Sequence, residues 1–250
     1  MSTWIAAKVA WKKAWTPGLV SLRLDTRLQF KPGQFTNLGL SSLAGGQHDE
    51  RERRAYSMAS APGEAAEFYA NEVQEGGFSP QLLKLREGDP IWIDTKPSGF
   101  FTLDELPAGD DLWLLATGTG LAPYLSMLRS GEAQRHCSRV VVVHGVREQA
   151  QLGHRVELEQ LAQQSTSFRF VPVLSREAAV AGGLAGRIPA LIATGDLERC
   201  TGLTFDPARS RVLLCGNPQM IVDTRAMLEE RGLKLHRRRA PGQILTENYW

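Results

Sequence analysis

The sequence predicts a two-domain protein in which an antiparallel β-barrel is followed by a doubly wound α/β domain. Three observations lead to this prediction. The first hundred residues contain short apolar runs separated by proline–glycine turns, which is typical of antiparallel strands. Beyond residue 111, apolar runs alternate with helical segments, as in a parallel sheet. The 250 residues are enough for two cores of moderate size.

Short, partly alternating apolar runs predict the strands of the barrel. One short helix is expected in this region, with Ser79 as its N-cap and Pro80 at its first position. The polar segment from Gly45 to Arg53 predicts a loop. The predicted strands are Trp4–Trp11, Leu19–Leu24, Gln34–Leu40, Arg54–Ala59, Phe68–Val73 and Ile91–Thr95.

The pattern changes near Leu106–Asp111, so we divide the chain into domains 1–105 and 106–250. Near-continuous apolar runs in the second domain predict strands that are buried on both faces. Asn217 is expected to cap the last helix, and Gly232 to end it. The predicted strands are Leu112–Thr117, Val140–Gly145, Phe168–Ser175 and Val212–Gly216, and the predicted helices are about Pro123–Arg129, Glu148–Gln163, Ile188–Ala193 and Pro218–Arg231.

Composition excludes several classes of function. The formal net charge of +2 is too small to indicate nucleic-acid binding. No apolar run approaches the roughly 20 residues of a membrane helix, and no secretory signal is visible, so we expect a cytoplasmic protein. The three cysteines form no C-x-x-C pair, and the five histidines show no ligand spacing. We therefore expect no metal site and no iron–sulfur cluster held by this chain.

A glycine turn follows the first apolar run of the second domain. Leu112–Ala116 leads into Thr117-Gly118-Thr119-Gly120, and an amphipathic helix opened by Pro123 comes next. Such a strand–turn–helix segment is a candidate phosphate cradle, because the start of a helix offers free N–H groups. It departs from the dinucleotide pattern G-x-G-x-x-G, and this segment alone slightly favours an ordinary βα turn.

A second motif is Arg54-Ala55-Tyr56-Ser57. Arginine offers a rigid fork for phosphate, tyrosine offers a flat face, and serine offers a small hydroxyl group. On a strand, Arg54 and Tyr56 share one face while Ser57 points to the other. The motif suits a pyrophosphate beside a stacked ring, although a plain strand with an exposed arginine also fits.

Three arginines follow strands of the predicted parallel sheet. Arg147 and Arg176 stand just past strand ends, where α/β sheets bind ligands, and Arg187 lies on the loop before the next helix. Arginines at this edge favour an adenosine 2′-phosphate over an unmodified ribose, which an acidic residue would bind. Each arginine alone is better explained as a solvated surface residue. Together, beside the order of the motifs, they favour NADP.

These motifs, in this order, resemble the ferredoxin–NADP(H) reductase superfamily. The set is Arg54-Ala-Tyr-Ser57, Gly77-Phe-Ser-Pro80, Thr117-Gly-Thr-Gly-Leu-Ala-Pro123, Cys215-Gly-Asn-Pro218 and the terminal pair Tyr249-Trp250. The terminal aromatics make the chain most similar to the bacterial flavodoxin/ferredoxin–NADP(H) reductases. The resemblance spans nearly the whole chain. It implies FAD on the barrel, NADP(H) on the second domain, and hydride transfer from NADPH to the flavin N5.

The resemblance also implies roles for single residues on the FAD side. Arg54 would bind the pyrophosphate, Tyr56 would stack on the isoalloxazine, and Ser57 would lie near N5. The terminal aromatics would cover the flavin and its adenine. The implied FAD-binding residues are Arg54, Ala55, Tyr56, Ser57, Tyr69, Ala70, Asn71, Glu72, Gly77, Phe78, Ser79, Thr119 and Trp250.

On the NADP side, the resemblance implies Thr117, Gly118, Val146, Arg147, Ser175, Arg176, Arg187 and Asn217. Ser57, Cys215, Glu247 and Tyr249 are the expected residues near the reacting groups. Cys215 is read as a positioning residue near the nicotinamide rather than as a nucleophile, and a plain core cysteine is the alternative. Glu247 is either a catalytic carboxylate or a solvated charge of the tail.

The expected partner is ferredoxin or flavodoxin, an acidic carrier that binds transiently to a monomeric reductase. A basic rim, or a set of simply solvated charges, is expected from His236–Arg239, Arg51, Arg53 and Lys12-Lys13. Two other functions remain open. One is the two-domain reductase component of an oxygenase system, and the other is a non-catalytic electron-transfer subunit.

Overall fold

The computed structural model describes residues 3–41, 48–73 and 76–248. The chain forms two compact units. The first consists of Met1–Thr102 and Ala122–Ser130, and the second of Leu103–Leu121 and Gly131–Trp250. The helix that follows the glycine turn therefore belongs with the N-terminal unit, which sequence patterning did not indicate.

Six of the described strands form the antiparallel sheet of the first unit, in the order β4-β3-β6-β1-β2-β5. Met58, just after β4, pairs with Phe68 of β5, and the Ala59 N–H donates to the Glu67 carbonyl at 2.8 Å. The two ends of the strand order thus meet, which closes the sheet into the predicted barrel. The strands are β1 (Trp4–Thr16), β2 (Leu19–Arg27), β3 (Phe35–Ser41), β4 (His48–Ser57), β5 (Ala65–Asn71) and β6 (Pro90–Asp94).

Two helices complete the first unit, α1 (Ser79–Lys84) and α2 (Ala122–Arg129). Every residue of α2 from Ala122 to Leu128 is buried, so the helix is not amphipathic as predicted. Arg129 binds the buried Glu67 carboxylate at 3.0 Å and the Ala59 carbonyl at 2.9 Å. Glu67 also pairs with Arg23 at 2.7 Å, so a buried carboxylate with two arginine partners holds the end of α2 to β5.

Six described strands of the second unit form a parallel sheet in the order β10-β9-β8-β7-β11-β12. The chain moves outward from β7 to β10 and then returns to the other side of β7. The gap between β7 and β11 is therefore the switch point at which such sheets bind ligands. The strands are β7 (Asp111–Thr117), β8 (Arg139–Val146), β9 (Phe168–Leu174), β10 (Leu184–Ala185), β11 (Ser210–Gly216) and β12 (Ile244–Asn248).

The helices of this unit are α3 (Glu132–His136), α4 (Arg155–Gln164), α5 (Ile188–Ala193), α6 (Asp196–Thr201) and α7 (Pro218–Glu230). Asn217 caps α7 as predicted, because its side chain accepts from the N–H groups of Gln219 and Met220. Apolar residues of β7, β8, β9 and β11 form the core together with those of α5 and α7. No helix in the described ranges is both long and apolar enough to cross a bilayer.

Several predicted elements were wrong in detail. Residues 48–53 belong to β4 and not to a loop. The predicted helix Glu148–Gln163 is interrupted, because His154 adopts a left-handed conformation with φ of 61° and α4 begins only after it. The short strands β10 and β12 and the helices α3 and α6 were missed. Each of them is seven residues or shorter, too short for a periodic signal.

Candidate functional site

The end of β4 carries the first candidate site of the barrel unit. Arg54 and Ala55 are exposed, Tyr56 is half-buried, and Ser57 is buried. The Tyr56 ring lies 6.5 Å from the Phe68 ring and 6.0 Å from the Phe78 ring, measured between centroids. Burial raises the pKa of Tyr56 to about 12, so the side chain is an un-ionised, fixed aromatic surface at neutral pH. Such a surface fits a stacked flavin ring.

The start of α1 lies beside this tyrosine through the Tyr56–Phe78 contact. A Cβ placed on Gly77 would meet no atom within 4 Å, so its backbone borders open space. Within the described ranges, the N–H groups of Gly77 and Phe78 donate to no backbone carbonyl. A helix start whose N–H groups meet no described carbonyl, next to open space at Gly77, fits a phosphate group. The structure thus brings together two of the segments that the sequence assigned to FAD.

The prediction that Ser79 caps α1 was wrong. Phe78 occupies the N-cap position, and no side chain caps the helix. Ser79 is the first helical residue, and its hydroxyl oxygen accepts from the Val73 N–H at 2.8 Å. Its role in the structure is to tie the loop after β5 to α1.

The end of β5 carries the remaining residues assigned to FAD on the barrel. Tyr69 and Ala70 are buried, Asn71 is half-buried, and Glu72 is exposed. The Glu72 N–H donates to the Gly18 carbonyl at 2.9 Å, which fixes the path of the chain beyond the strand. Polar groups therefore reach the surface only in the last part of this segment.

The glycine turn of the second unit is a 3₁₀ turn, Gly118–Leu121, placed between β7 and α2. Gly118 has a positive φ of 54°, and a Cβ on it would meet no atom within 4 Å. A Cβ on Gly120 would instead lie 2.5 Å from the Cys215 carbonyl oxygen. The two glycines therefore differ. Gly118 leaves room for a ligand, whereas Gly120 lets the turn pack against β11.

A second turn lies against the glycine turn at the switch point. The Asn217 N–H donates to the Thr117 hydroxyl oxygen at 2.7 Å, so the last residue of β7 and the residue after β11 are joined. Cys215 is fully buried near the end of β11. Glu247 on β12 pairs in register with Cys215. It is half-buried and is not part of a loose tail.

The three predicted arginines follow consecutive strands. The Arg176 N–H donates to the Arg147 carbonyl at 3.0 Å, and the Ser175 N–H donates to the Val146 carbonyl at 3.0 Å. Arg187 comes two residues after β10, which pairs with the end of β9. All three arginines are exposed, and Arg147 directly follows the buried Val146 at the end of β8.

Two carboxylates also lie near this edge, and both accept hydrogen bonds from backbone N–H groups. The Glu177 carboxylate accepts from the Gln149 N–H at 2.6 Å. The Glu148 side chain accepts from a backbone N–H in a capping box with Gln151. Neither carboxylate pairs with an arginine in the described residues. The edge therefore offers three cations, which fits a 2′-phosphate.

His144 is a residue of this region that the sequence did not single out. It interrupts the apolar run of β8, is fully buried, and places its Nε2 2.9 Å from the Gly118 carbonyl oxygen. Burial lowers its pKa to about 4, so the ring is neutral. A polar residue inside the valine run was the only available signal.

The proposed basic rim is only partly present. Lys12 is half-buried and its ammonium group donates to the carbonyls of Leu83 and Leu85, at 2.7 Å for Leu85, so it caps α1. Burial lowers the pKa of Lys12. His236 is half-buried, with Nε2 3.7 Å from the Glu105 carboxylate. Arg238 and Arg239 are exposed at the tip of a turn closed by Arg237 and Ala240. The side chain of Arg51 lies outside the described residues, as do Tyr249 and Trp250.

Comparison with known proteins agrees with this arrangement. Residues 114–226 match the family model of an oxidoreductase NAD-binding domain. The flavodoxin/ferredoxin–NADP reductases of Shigella flexneri and Escherichia coli (strain K12) are each 42% identical over 254 aligned residues, covering all of both chains. The crystal structure of a ferredoxin NADP+ reductase from Neisseria gonorrhoeae, with bound FAD and NADP, has a TM-score of 0.91 at 35% identity and covers 99% of each chain.

The barrel, the parallel sheet with its switch point and the arginine-lined edge define a class of protein, the two-unit oxidoreductases that use nucleotide cofactors. Similarity over the full length then specifies the family. The chain belongs to the flavodoxin/ferredoxin–NADP reductase family. The resemblance drawn from the ordered motifs is confirmed, and so is the predicted fold class.

Proposed function

We propose that this chain is a flavoprotein that transfers electrons between NADPH and a one-electron carrier, ferredoxin or flavodoxin. The observation that carries the proposal is that one chain has both kinds of surface: a phenol ring beside open N–H groups on the barrel, and three arginines at the edge of a parallel sheet. When bound, FAD accepts a hydride at N5 and releases electrons singly, chemistry that no side chain supplies. The side chains and backbone N–H groups of this chain bind and orient the two nucleotides.

We propose residues 1–105 as the FAD-binding domain, in which Arg54 binds the FAD pyrophosphate as a bidentate cation. Gly77, Phe78 and Ser79 offer backbone N–H groups to the same phosphates. Tyr56 presents its ring to the isoalloxazine, and Ala55 and Ser57 lie on the adjacent strand surface. Support comes from the exposure of Arg54 and the fixed ring of Tyr56. The segment from Tyr69 to Glu72 borders the flavin edge.

We propose residues 106–250 as the NADP-binding domain, in which Arg147, Arg176 and Arg187 bind the 2′-phosphate together with Ser175. The glycine turn and Asn217 hold the pyrophosphate and nicotinamide end of the nucleotide. The hydrogen bond from the Asn217 N–H to the Thr117 hydroxyl group supports this assignment, because it fixes both turns at the switch point. Val146 supplies apolar contact at the base of the arginine edge.

Cys215 and Glu247 are proposed to position the nicotinamide. Their register pairing on β11 and β12 supports a shared role, and the complete burial of Cys215 argues against a nucleophile. Tyr249 and Trp250 are proposed to cover the flavin. They follow β12 directly in the sequence.

The carrier is proposed to be acidic and to bind transiently to a cytoplasmic monomer. The exposed turn that carries Arg238 and Arg239 supports a basic docking surface. We expect the double variant Arg238→Ala/Arg239→Ala to lower kcat/KM for ferredoxin or flavodoxin about tenfold at low ionic strength. The difference should shrink at high salt, because salt screens exposed charges.

The test measures NADPH-driven reduction of ferredoxin and of flavodoxin by the wild type, by this double variant and by Arg199→Ala. Arg199 is a matched control because it is an exposed arginine on α6 that pairs with Asp196. The control should retain the wild-type rates. Failure of the wild type to reduce either carrier would reject the proposed function, and a loss independent of salt would reject the docking surface.

A further inference from the structure

Among the described residues, the His144 side chain makes one hydrogen bond, to the backbone of the glycine turn. Its Nε2 lies 2.9 Å from the Gly118 carbonyl oxygen. A carbonyl oxygen can only accept, so Nε2 carries the proton and Nδ1 does not. Nδ1 is buried and has no partner within the described part of the chain. Burial of an unpaired acceptor is unfavourable, so the histidine is not explained by packing alone.

The neighbours of His144 cannot replace this contact. At the same level of the sheet lie Ala116 on β7 and Pro172 on β9. Neither side chain carries a hydrogen-bond donor. The titratable group that influences His144 from elsewhere in the unit is His154, whose positive charge would oppose protonation. His144 is therefore the donor available to the Gly118 carbonyl group at this position.

The contact fixes one peptide group of the turn. The bond between Gly118 and Thr119 is trans, so the Gly118 C=O and the Thr119 N–H point in opposite directions. With the carbonyl held by His144, the Thr119 N–H points to the other side of the turn. Gly118 alone does not impose this orientation, because a glycine adopts many backbone conformations.

We propose that His144 is a positioning residue for nicotinamide-nucleotide binding, acting through the Gly118–Thr119 peptide group. Its Nε2–H selects the orientation in which the Thr119 N–H faces away from the interior of the sheet. This inference rests on the proposed role of the glycine turn, through Thr117 and Gly118, in NADP binding. It adds a residue that touches no nucleotide and acts through the backbone.

The test uses a matched set of substitutions at this position. His144→Gln places an amide N–H near the position of Nε2. His144→Asn places an amide N–H near the position of Nδ1, because its side chain is too short to reach the Gly118 carbonyl group. His144→Leu removes the donor while keeping an apolar side chain. The control is His136→Leu, a half-buried histidine at the end of α3. FAD content and thermal unfolding are recorded for each purified protein.

The dissociation constant for NADP+ is measured by calorimetry. We expect it to rise about tenfold in the Asn and Leu variants, the effect of one lost hydrogen bond, and to stay within about threefold of wild type in the Gln variant. We expect His144→Leu to unfold near the wild-type temperature, because the loss of an unpaired buried nitrogen offsets the loss of the donor to the Gly118 carbonyl group. Amide exchange at Thr119 should be faster in the Asn and Leu variants.

The expected pattern is weaker NADP+ binding in the Asn and Leu variants, wild-type binding in the Gln variant, and the same thermal stability in all of them. A histidine with a purely structural role would not give this pattern. Equal affinity in all variants would overturn the proposal. So would a loss of affinity that follows a loss of thermal stability across the set, or an equal loss in the His136 control. If the wild type itself bound no NADP+, the proposed function would fail instead, and the two failures are thus distinguished.

Discussion

At the scale of single residues, we propose that the selectivity of the nucleotide site depends on three exposed arginines. Arg147, Arg176 and Arg187 follow β8, β9 and β10, and backbone hydrogen bonds join the first two. An exposed arginine contributes little to stability, so its position at a ligand-binding edge indicates a role in binding. Nearby carboxylates would weaken this role, but Glu148 and Glu177 are bound to backbone N–H groups.

Arg176→Ala should raise KM for NADPH by about ten- to a hundredfold, since a charge-assisted contact with phosphate is lost. KM for NADH should stay unchanged, because NADH has no 2′-phosphate. Steady-state kinetics with both nucleotides measure this. Arg169→Ala is the matched control, because Arg169 is an exposed arginine near the opposite end of β9. An equal loss with NADH and NADPH would contradict the assignment.

His144 makes stability depend on pH. Its pKa is lowered by burial to about 4, from an ordinary value of 6.5. Between these values the unfolded chain binds a proton that the folded chain does not, so stability falls as pH falls through this window. We expect protonation of His144 in the unfolded chain to lower the free energy of unfolding by about 2 kcal/mol when the pH is changed from 7 to 5.

Urea unfolding of wild type and His144→Gln at pH 7 and pH 5 checks this expectation. The variant has no titrating group at this position and should lose less stability on acidification. The same pH dependence in both proteins would show that His144 is not buried in its neutral form.

At the scale of elements, the glycine turn between β7 and α2 combines two backbone requirements. Gly118 needs a positive φ, and Gly120 needs to approach the Cys215 carbonyl group closely. The sequence predicted the turn from its position between an apolar run and Pro123. It did not predict that Gly120 serves packing, because that neighbour lies 95 residues away in the sequence.

Gly120→Ala should lower the free energy of unfolding by about 3 kcal/mol, because the new Cβ would overlap the Cys215 backbone. Gly118→Ala should cost only about 1 kcal/mol, because its Cβ meets no atom and only the left-handed conformation is disfavoured. Chemical denaturation of both variants measures the difference. A larger loss for Gly118→Ala would contradict the packing role of Gly120.

Other elements show what sequence patterns could not supply. The strand β12 has only five residues, at the edge of the parallel sheet beside β11, so its periodic signal is weak. Glu247 therefore looked equally like a tail charge until the pairing placed it beside Cys215. Lys12 looked like a surface cation, but it caps a helix 71 residues away. Such contacts depend on tertiary structure rather than on local pattern.

At the scale of the whole molecule, the change of pattern near residues 106–111 predicted two units, and both sheets were found. The assignment of α2 to the first unit was not predicted. It follows from tertiary contacts, the Tyr124 ring 6.0 Å from the Phe101 ring and Arg129 bound to Glu67. The order of motifs was the strongest indicator of function, since each motif alone had an ordinary structural explanation.

The central claim is that this chain, with FAD bound, accepts electrons from NADPH in preference to NADH and passes them to a carrier. The most direct measurement is an anaerobic absorption titration of the purified holoprotein with each nucleotide, followed by addition of ferredoxin or flavodoxin. We predict that NADPH bleaches the flavin bands at least about a hundredfold faster than NADH, the discrimination expected of a charge-assisted phosphate contact, and that the oxidised carrier restores them. A chain that binds no flavin, or whose bands bleach equally fast with both nucleotides, would contradict the account.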